Sequence, residues 1–132
     1  MRITLEADYA VRIVYYLAAA DRKTDAGAIA AQAGVTMRFT LKILGKLSRA
    51  GIVRSFKGAA GGYVLSKTPA EISLLDIITV IDGPIAINKC LTPEVGCTRV
   101  EDKSSCPFHA QFQRVSNIIS KELDEVKMVQ FL

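Results

Sequence analysis

No run of apolar residues in this chain is longer than the eight from Ile13 to Ala20, far short of the roughly 18 to 20 that a membrane-spanning helix requires. A transmembrane helix is excluded. The opening Met1-Arg2-Ile3-Thr4-Leu5-Glu6-Ala7-Asp8 places charges where a secretory leader would be apolar, so the expected location is the cytoplasm. Cysteine occurs only three times. An odd number cannot pair fully within one chain, and a reducing compartment disfavours disulfides, so metal ligation or redox chemistry becomes the better expectation. Histidine occurs once, at His109, and 132 residues leave no room for a two-domain enzyme. Acidic residues are missing altogether from Ala26 through Ala70, a stretch that holds seven Lys and Arg. A solvated face of mixed sign does not look like this.

What is present is enough for a core: half of the residues are hydrophobic and only 23% are charged. The net charge of +4 hides an asymmetry, since residues 1–69 carry 11 Lys and Arg against four acids and residues 70–132 carry six against nine. A basic half with an acid-free centre points to a polyanionic partner. Nucleic acid is the obvious one, because each neutralised phosphate releases counterions and strengthens binding; an anionic membrane surface is the weaker alternative.

Leu5, Tyr9, Ile13, Tyr16, Leu17 and Ala20 recur at helical steps, which predicts an amphipathic helix over residues 4–20 with Thr4 as its cap. Tyr9, Tyr15 and Tyr16 then belong to core or interface. A short alanine-rich helix follows from Asp25 to Ala33, closed by Gly34, and Thr36 caps a third helix reaching about Ala50. That third helix is expected to bury Phe39, Ile43, Leu44 and Leu47 and to present Arg38, Lys42, Lys46 and Arg49. Two helices joined by Ala33-Gly34-Val35-Thr36 read as a helix-turn-helix. Directly after it, Ile52 to Lys57, the glycine-rich Gly58 to Gly62, and Tyr63 to Ser66 read as a β-hairpin. Those glycines lack the Gly-Lys-Ser/Thr ending and the following helix of a phosphate loop. The predicted fold is therefore mainly α with a small β-hairpin: a winged helix-turn-helix head and a long C-terminal helix. The third helix would enter the major groove of double-stranded DNA and the wing would contact the backbone or minor groove. Thr36, Arg38, Thr40 and Lys42, with Arg54 and Lys57 on the wing, are the candidate DNA contacts.

Ser73-Leu74-Leu75-Asp76 has the form of a capping box opening a helix to Ile81, ended by Gly83 and Pro84. Residues 84–107 show no periodicity and hold every cysteine: Cys90, Cys97 and Cys106, with His109 three residues on. Thiols gathered on a loop suit a soft metal centre, either zinc or an iron–sulfur cluster, and the spacing does not separate the two. Buried structural cysteines are the plainer alternative, and His109 is as well placed for a structural role as for ligation. A catalytic Cys–His pair lacks any recognisable oxyanion site or substrate pocket, so neither an enzyme nor a small-molecule substrate is expected. From Phe108 onward, Phe112, Val115, Ile119, Leu123 and Val126 form an apolar seam, for which a second copy of the chain is the simplest partner. The organisation read from this is a head over 1–83, a cysteine loop over 84–107 and a dimerisation helix over 108–132, acting as one unit with the head.

The segment from Met1 to Arg12, the run from Ile52 to Leu65 with its glycine wing, and three cysteines before a long helix together resemble the Rrf-two family of bacterial winged-helix regulators. The resemblance covers essentially the whole chain. Members include an iron–sulfur cluster regulator, a nitric-oxide-sensitive repressor, an iron-responsive regulator and a cluster-free repressor of cysteine metabolism. It implies a homodimeric transcription factor in which Cys90, Cys97 and Cys106 hold a two-iron or four-iron cluster. The fourth ligand would be His109, as in the cluster-biogenesis branch, or Asp8 from the other subunit, as in the nitric-oxide branch. Zinc, or no metal and thiol sensing alone, remains the alternative. Three features depart from the family pattern. Eight residues separate Cys97 from Cys106, Lys57 stands where arginine is common, and Leu41 lies near positions that are often polar.

Overall fold

A computed structural model describes all 132 residues. Helix α1 spans Leu5–Ala20, α2 spans Ala26–Ala33 and α3 spans Met37–Arg49. Each starts where a short polar side chain satisfies a free backbone N–H: Thr4 accepts from Ala7, Asp25 from Ala28 and Thr36 from Phe39. Between α2 and α3 the chain turns at Gly34, whose φ of 67° is one that a side chain rarely tolerates. Strands β1 (Val53–Phe56) and β2 (Gly62–Leu65) pair antiparallel, with Val53 opposite Leu65 and Phe56 opposite Gly62. The loop after α1 joins this hairpin, because Thr24 and Tyr63 exchange backbone hydrogen bonds of 3.0 and 2.8 Å. Gly62 permits that approach: a Cβ there would meet the Thr24 carbonyl oxygen at 2.9 Å.

Helix α4, Leu74–Asp82, opens with the reciprocal capping box of Ser73 and Asp76. It packs on α1, and the Asp82 carboxylate also accepts from the Thr4 backbone N–H and hydroxyl at the start of α1. Helix α5 spans Pro107–Glu125. The core lies where α1 to α4 converge, around Ile13, Ile29, Ile43, Leu44, Leu47 and Ile77.

Two expectations about this framework need correction. Phe39 is 42% exposed, and Thr40 is buried in its place. The inward face of α3 is therefore Thr40, Ile43, Leu44 and Leu47, which fits the helical step as well as the expected set does. The C-terminal helix also stops short of the chain end. After Glu125 the backbone bonds to the strand-like approach of α4, through Leu74 N–H to the Val126 carbonyl and Met128 N–H to the Ile72 carbonyl, both 2.9 Å. Met128 thereby enters the core of the head.

Candidate nucleic-acid interface and cysteine pocket

The amino-terminal half of α3 and the wing expose most of the basic residues of the acid-free stretch. Thr36 and Arg38 are exposed at the first turn of α3, and Arg54 and Lys57 are exposed on the hairpin. Lys42 is half exposed, but its Nζ lies 3.6 Å from the Glu6 carboxylate. Lys46 is held more firmly by the other oxygen of Glu6, at 2.7 Å. These contacts keep the Glu6 carboxyl below its ordinary pKa, chiefly through the Lys46 hydrogen bond and against the opposing effect of burial. Part of the positive charge of α3 is thus compensated from α1, which the sequence pattern did not reveal. Thr40, expected at the DNA surface, points into the core instead, and its hydroxyl oxygen has no hydrogen-bond partner.

The wing gains a basic residue from outside the hairpin. The Phe56 ring has two cations near it, the Arg54 guanidinium 4.8 Å and the Lys23 ammonium 5.3 Å from its centroid. Lys23 comes from the α1–α2 loop, brought there by the Thr24–Tyr63 pairing. No local pattern marks Lys23, because the pairing spans the whole helix-turn-helix.

Cys90, Cys97, Cys106 and His109 line one pocket of about 280 Å³ at the amino-terminal end of α5. All three cysteines are free thiols, Cys97 exposed and Cys106 buried. Arg99, one of the eight residues between Cys97 and Cys106, contacts both: its Nη2 donates to Cys106 Sγ at 3.3 Å and its backbone N–H to Cys97 Sγ at 3.4 Å. Its guanidinium lies 5.1 Å from the centroid of the Phe108 ring. Accordingly the Cys106 thiol ionises more readily than usual, first because of the Arg99 side chain and then the backbone N–H of His109. Cys97 is lowered as well, by the backbone N–H groups of Arg99 and Val100. His109 Nδ1 is buried and unpartnered, as a nitrogen awaiting a ligand or proton acceptor would be. The donor set suits a soft metal centre, although no three of these side chains converge on one point that could hold a single ion.

Asp8 does not line this pocket within the chain and pairs with Arg12 at 2.6 Å. Along α5, Phe112 is exposed, while Val115, Ile119 and Leu123 are half-buried; Val126, also half-buried, lies just past the helix end. Ile119 and Leu123 share a groove of about 570 Å³ with Ile78 and Ile81 of α4 and with the amino-terminal residues. Phe108 and Ile118 are further exposed apolar residues of α5 outside the expected seam.

Residues 3–132 match a family model described as Rrf2, an iron-dependent transcriptional regulator. The chain belongs to the Rrf2 family. Among similar proteins, Protein aau3 of Rhizobium meliloti is 35% identical over 89% of this chain and 75% of that protein. The HTH-type transcriptional regulator IscR of Aliivibrio salmonicida is 28% identical over 100% of this chain and 77% of its own length. CymR, the global cysteine regulator of B. subtilis, superposes with a TM-score of 0.76 at 26% identity, over 99% of this chain and 95% of that one. T. potens IscR has the same fold, with a TM-score of 0.76 at 22% identity over 99% of this chain and 85% of that one. The mainly helical winged-helix architecture and the role as a DNA-binding transcriptional regulator agree with the expectations above. No helix is long and apolar enough to cross a membrane.

Proposed function

We propose that this Rrf2 regulator works in the cytoplasm as a homodimer whose operator affinity depends on the state of the cysteine pocket. One observation carries the reading: all three cysteines and the one histidine meet in a single pocket at the amino-terminal end of α5. Cys90, Cys97 and Cys106 would hold an iron–sulfur cluster, with His109 or Asp8 of the partner subunit as the fourth ligand. When bound, such a cluster supplies a link between the ligand-bearing segments that iron supply, redox change or nitric oxide can break. The chain's own residues do the rest. Arg99 offsets thiolate charge at Cys97 and Cys106, and the loop from Cys90 to Cys106, once tied down, biases how the two heads are spaced.

In the DNA-bound dimer, Thr36, Arg38 and Lys42 would meet the major groove, with Arg54, Lys57 and Lys23 on the backbone beside the wing. The two heads would address half-sites about one helical turn apart, roughly 34–36 Å, or a multiple of it. The seam of Phe112, Val115, Ile119 and Leu123 on α5, with Val126 just past its end, would face the second copy.

A thiol regulator without a cluster is the second reading. It is favoured by the lack of three converged ligands and by the likeness to CymR, described as a global cysteine regulator.

Anaerobic purification from iron-replete cells, with a visible spectrum and iron, sulfide and zinc analysis on one sample, separates the readings. Matching iron and sulfide is the expected result, and Cys97→Ala should then change operator affinity without unfolding the dimer. Stoichiometric zinc, or no metal even after reconstitution, would overturn the cluster reading. Operator binding indifferent to salt would overturn the DNA contacts themselves.

A further inference from the structure

Helix α3 carries a stripe that the packing of the head does not explain. Met37 and Leu41 are 49% and 46% exposed, and neither belongs to the core or packs against it. Phe39 is about as exposed but has partners, the Tyr9 ring edge-on at 6.1 Å and the Lys42 ammonium at 5.8 Å. Gly45 continues the four-residue step from Met37 and Leu41, so the three lie in line on successive turns. Glycine within a helix weakens it relative to alanine, and nothing in the head requires it here. Its φ is not positive, and a Cβ would meet only Arg49 Nη1, at an ordinary 3.5 Å.

The stripe runs beside Arg38, Lys42 and Arg49, and neither Arg38 nor Arg49 has an acidic partner. Such a border suits an apolar group carried on a polyanion. In a recognition helix the amino-terminal turns reach the base edges, and the thymine 5-methyl is the apolar group that the major groove presents.

We propose that Met37 and Leu41 read thymine by contact with its 5-methyl group, and that Gly45 leaves the clearance that lets α3 approach the bases. The proposal rests on α3 being the helix that faces DNA.

Duplexes enriched by the wild-type protein from a random-sequence pool supply the probe. Resynthesis with deoxyuridine at one thymine at a time removes the methyl and leaves base pairing intact. At contacted positions wild-type affinity should fall about fourfold per methyl. Leu41→Ala or Met37→Ala should bind the thymine and uracil duplexes equally at the position each residue reads. Leu41→Gln, taken through a new selection, should lose the thymine preference there. Gly45→Ala should raise the melting temperature and weaken the enriched duplex. Wild-type affinity unchanged by uracil at every position would overturn the proposal, as would an equal loss in wild type and both alanine variants. Failure of the wild type to enrich any sequence would instead overturn the DNA-facing role of α3, and this proposal with it. Should Leu41→Ala melt early, Leu41→Gln on the same thymine and uracil duplexes provides the comparison and should likewise bind the two equally.

Discussion

Glu6 of α1 and Lys46 of α3 face each other at 2.7 Å across the head, 40 residues apart in the chain. The same carboxylate reaches Lys42, so one acid restrains two cations of the helix assigned to the groove.

Glu6→Gln should therefore act in two directions. The folded-state pKa of Glu6 is lowered, so its contribution to stability is present above the ordinary value of 4.5 and fades as pH falls through the folded value. At neutral pH we expect a loss on the order of 1 kcal/mol, read by urea denaturation, and convergence of variant and wild type in acid. DNA affinity should rise, with a steeper salt dependence, because Lys42 and Lys46 are released. Unchanged stability and an unchanged salt slope together would show the pairing to be inconsequential.

Thr40→Val tests the corrected face of α3. The Thr40 hydroxyl is buried without a partner, and an unsatisfied buried group costs about 1–3 kcal/mol. The near-isosteric change should stabilise the protein by up to about that amount and leave operator affinity unchanged in a fluorescence anisotropy titration. A large loss of DNA binding with the fold intact would return Thr40 to the interface.

Met128→Ala should destabilise the head by about 2–5 kcal/mol, since Met128 lies in the core between α1 and the approach to α4. Thermal melts of the variant and of a chain ending at Glu125 should both fall. A melting temperature equal to that of wild type would mean that the last residues do not belong to the head in solution.

Arg99→Gln should slow alkylation of Cys106 by iodoacetamide in the metal-free protein near pH 7.5. The Arg99 side chain is the first cause of the lowered Cys106 pKa, so its removal raises that pKa and shrinks the thiolate fraction. Cys97 should keep its reactivity, because its leading causes are backbone N–H groups that the substitution retains. Peptide mapping after timed alkylation distinguishes the two sites, and an equal change at both would contradict the assignment.

The caps were legible in the chain because they are local. Thr4, Thr36 and Ser73 each accept from an N–H three residues on, a relation that four consecutive residues are enough to specify; Asp25 does the same, although it was read as the first residue of its helix. The wing was legible from its glycines, and the grouping of the cysteines on one loop from their place between two helices. Phe39 and Thr40 were assigned the wrong way round because both fit the helical step. Which of them turns inward depends on where α1 crosses α3, and Tyr9 takes the Phe39 ring at the rim.

Residue types and short spacings therefore determined the helices, their ends, the hairpin, the basic stretch and the candidate metal ligands. Tertiary structure alone decided which cations are free, through Glu6, and which cation joins the wing, through the pairing of Thr24 with Tyr63. It also decided that Arg99 meets Cys106 and that Met128 returns to the core. The division has a physical basis. Caps, turns and helical faces are set by forces acting over a few neighbouring residues. Charge compensation and packing arise only when segments distant in the chain are brought into contact, and no local pattern encodes which segments those are.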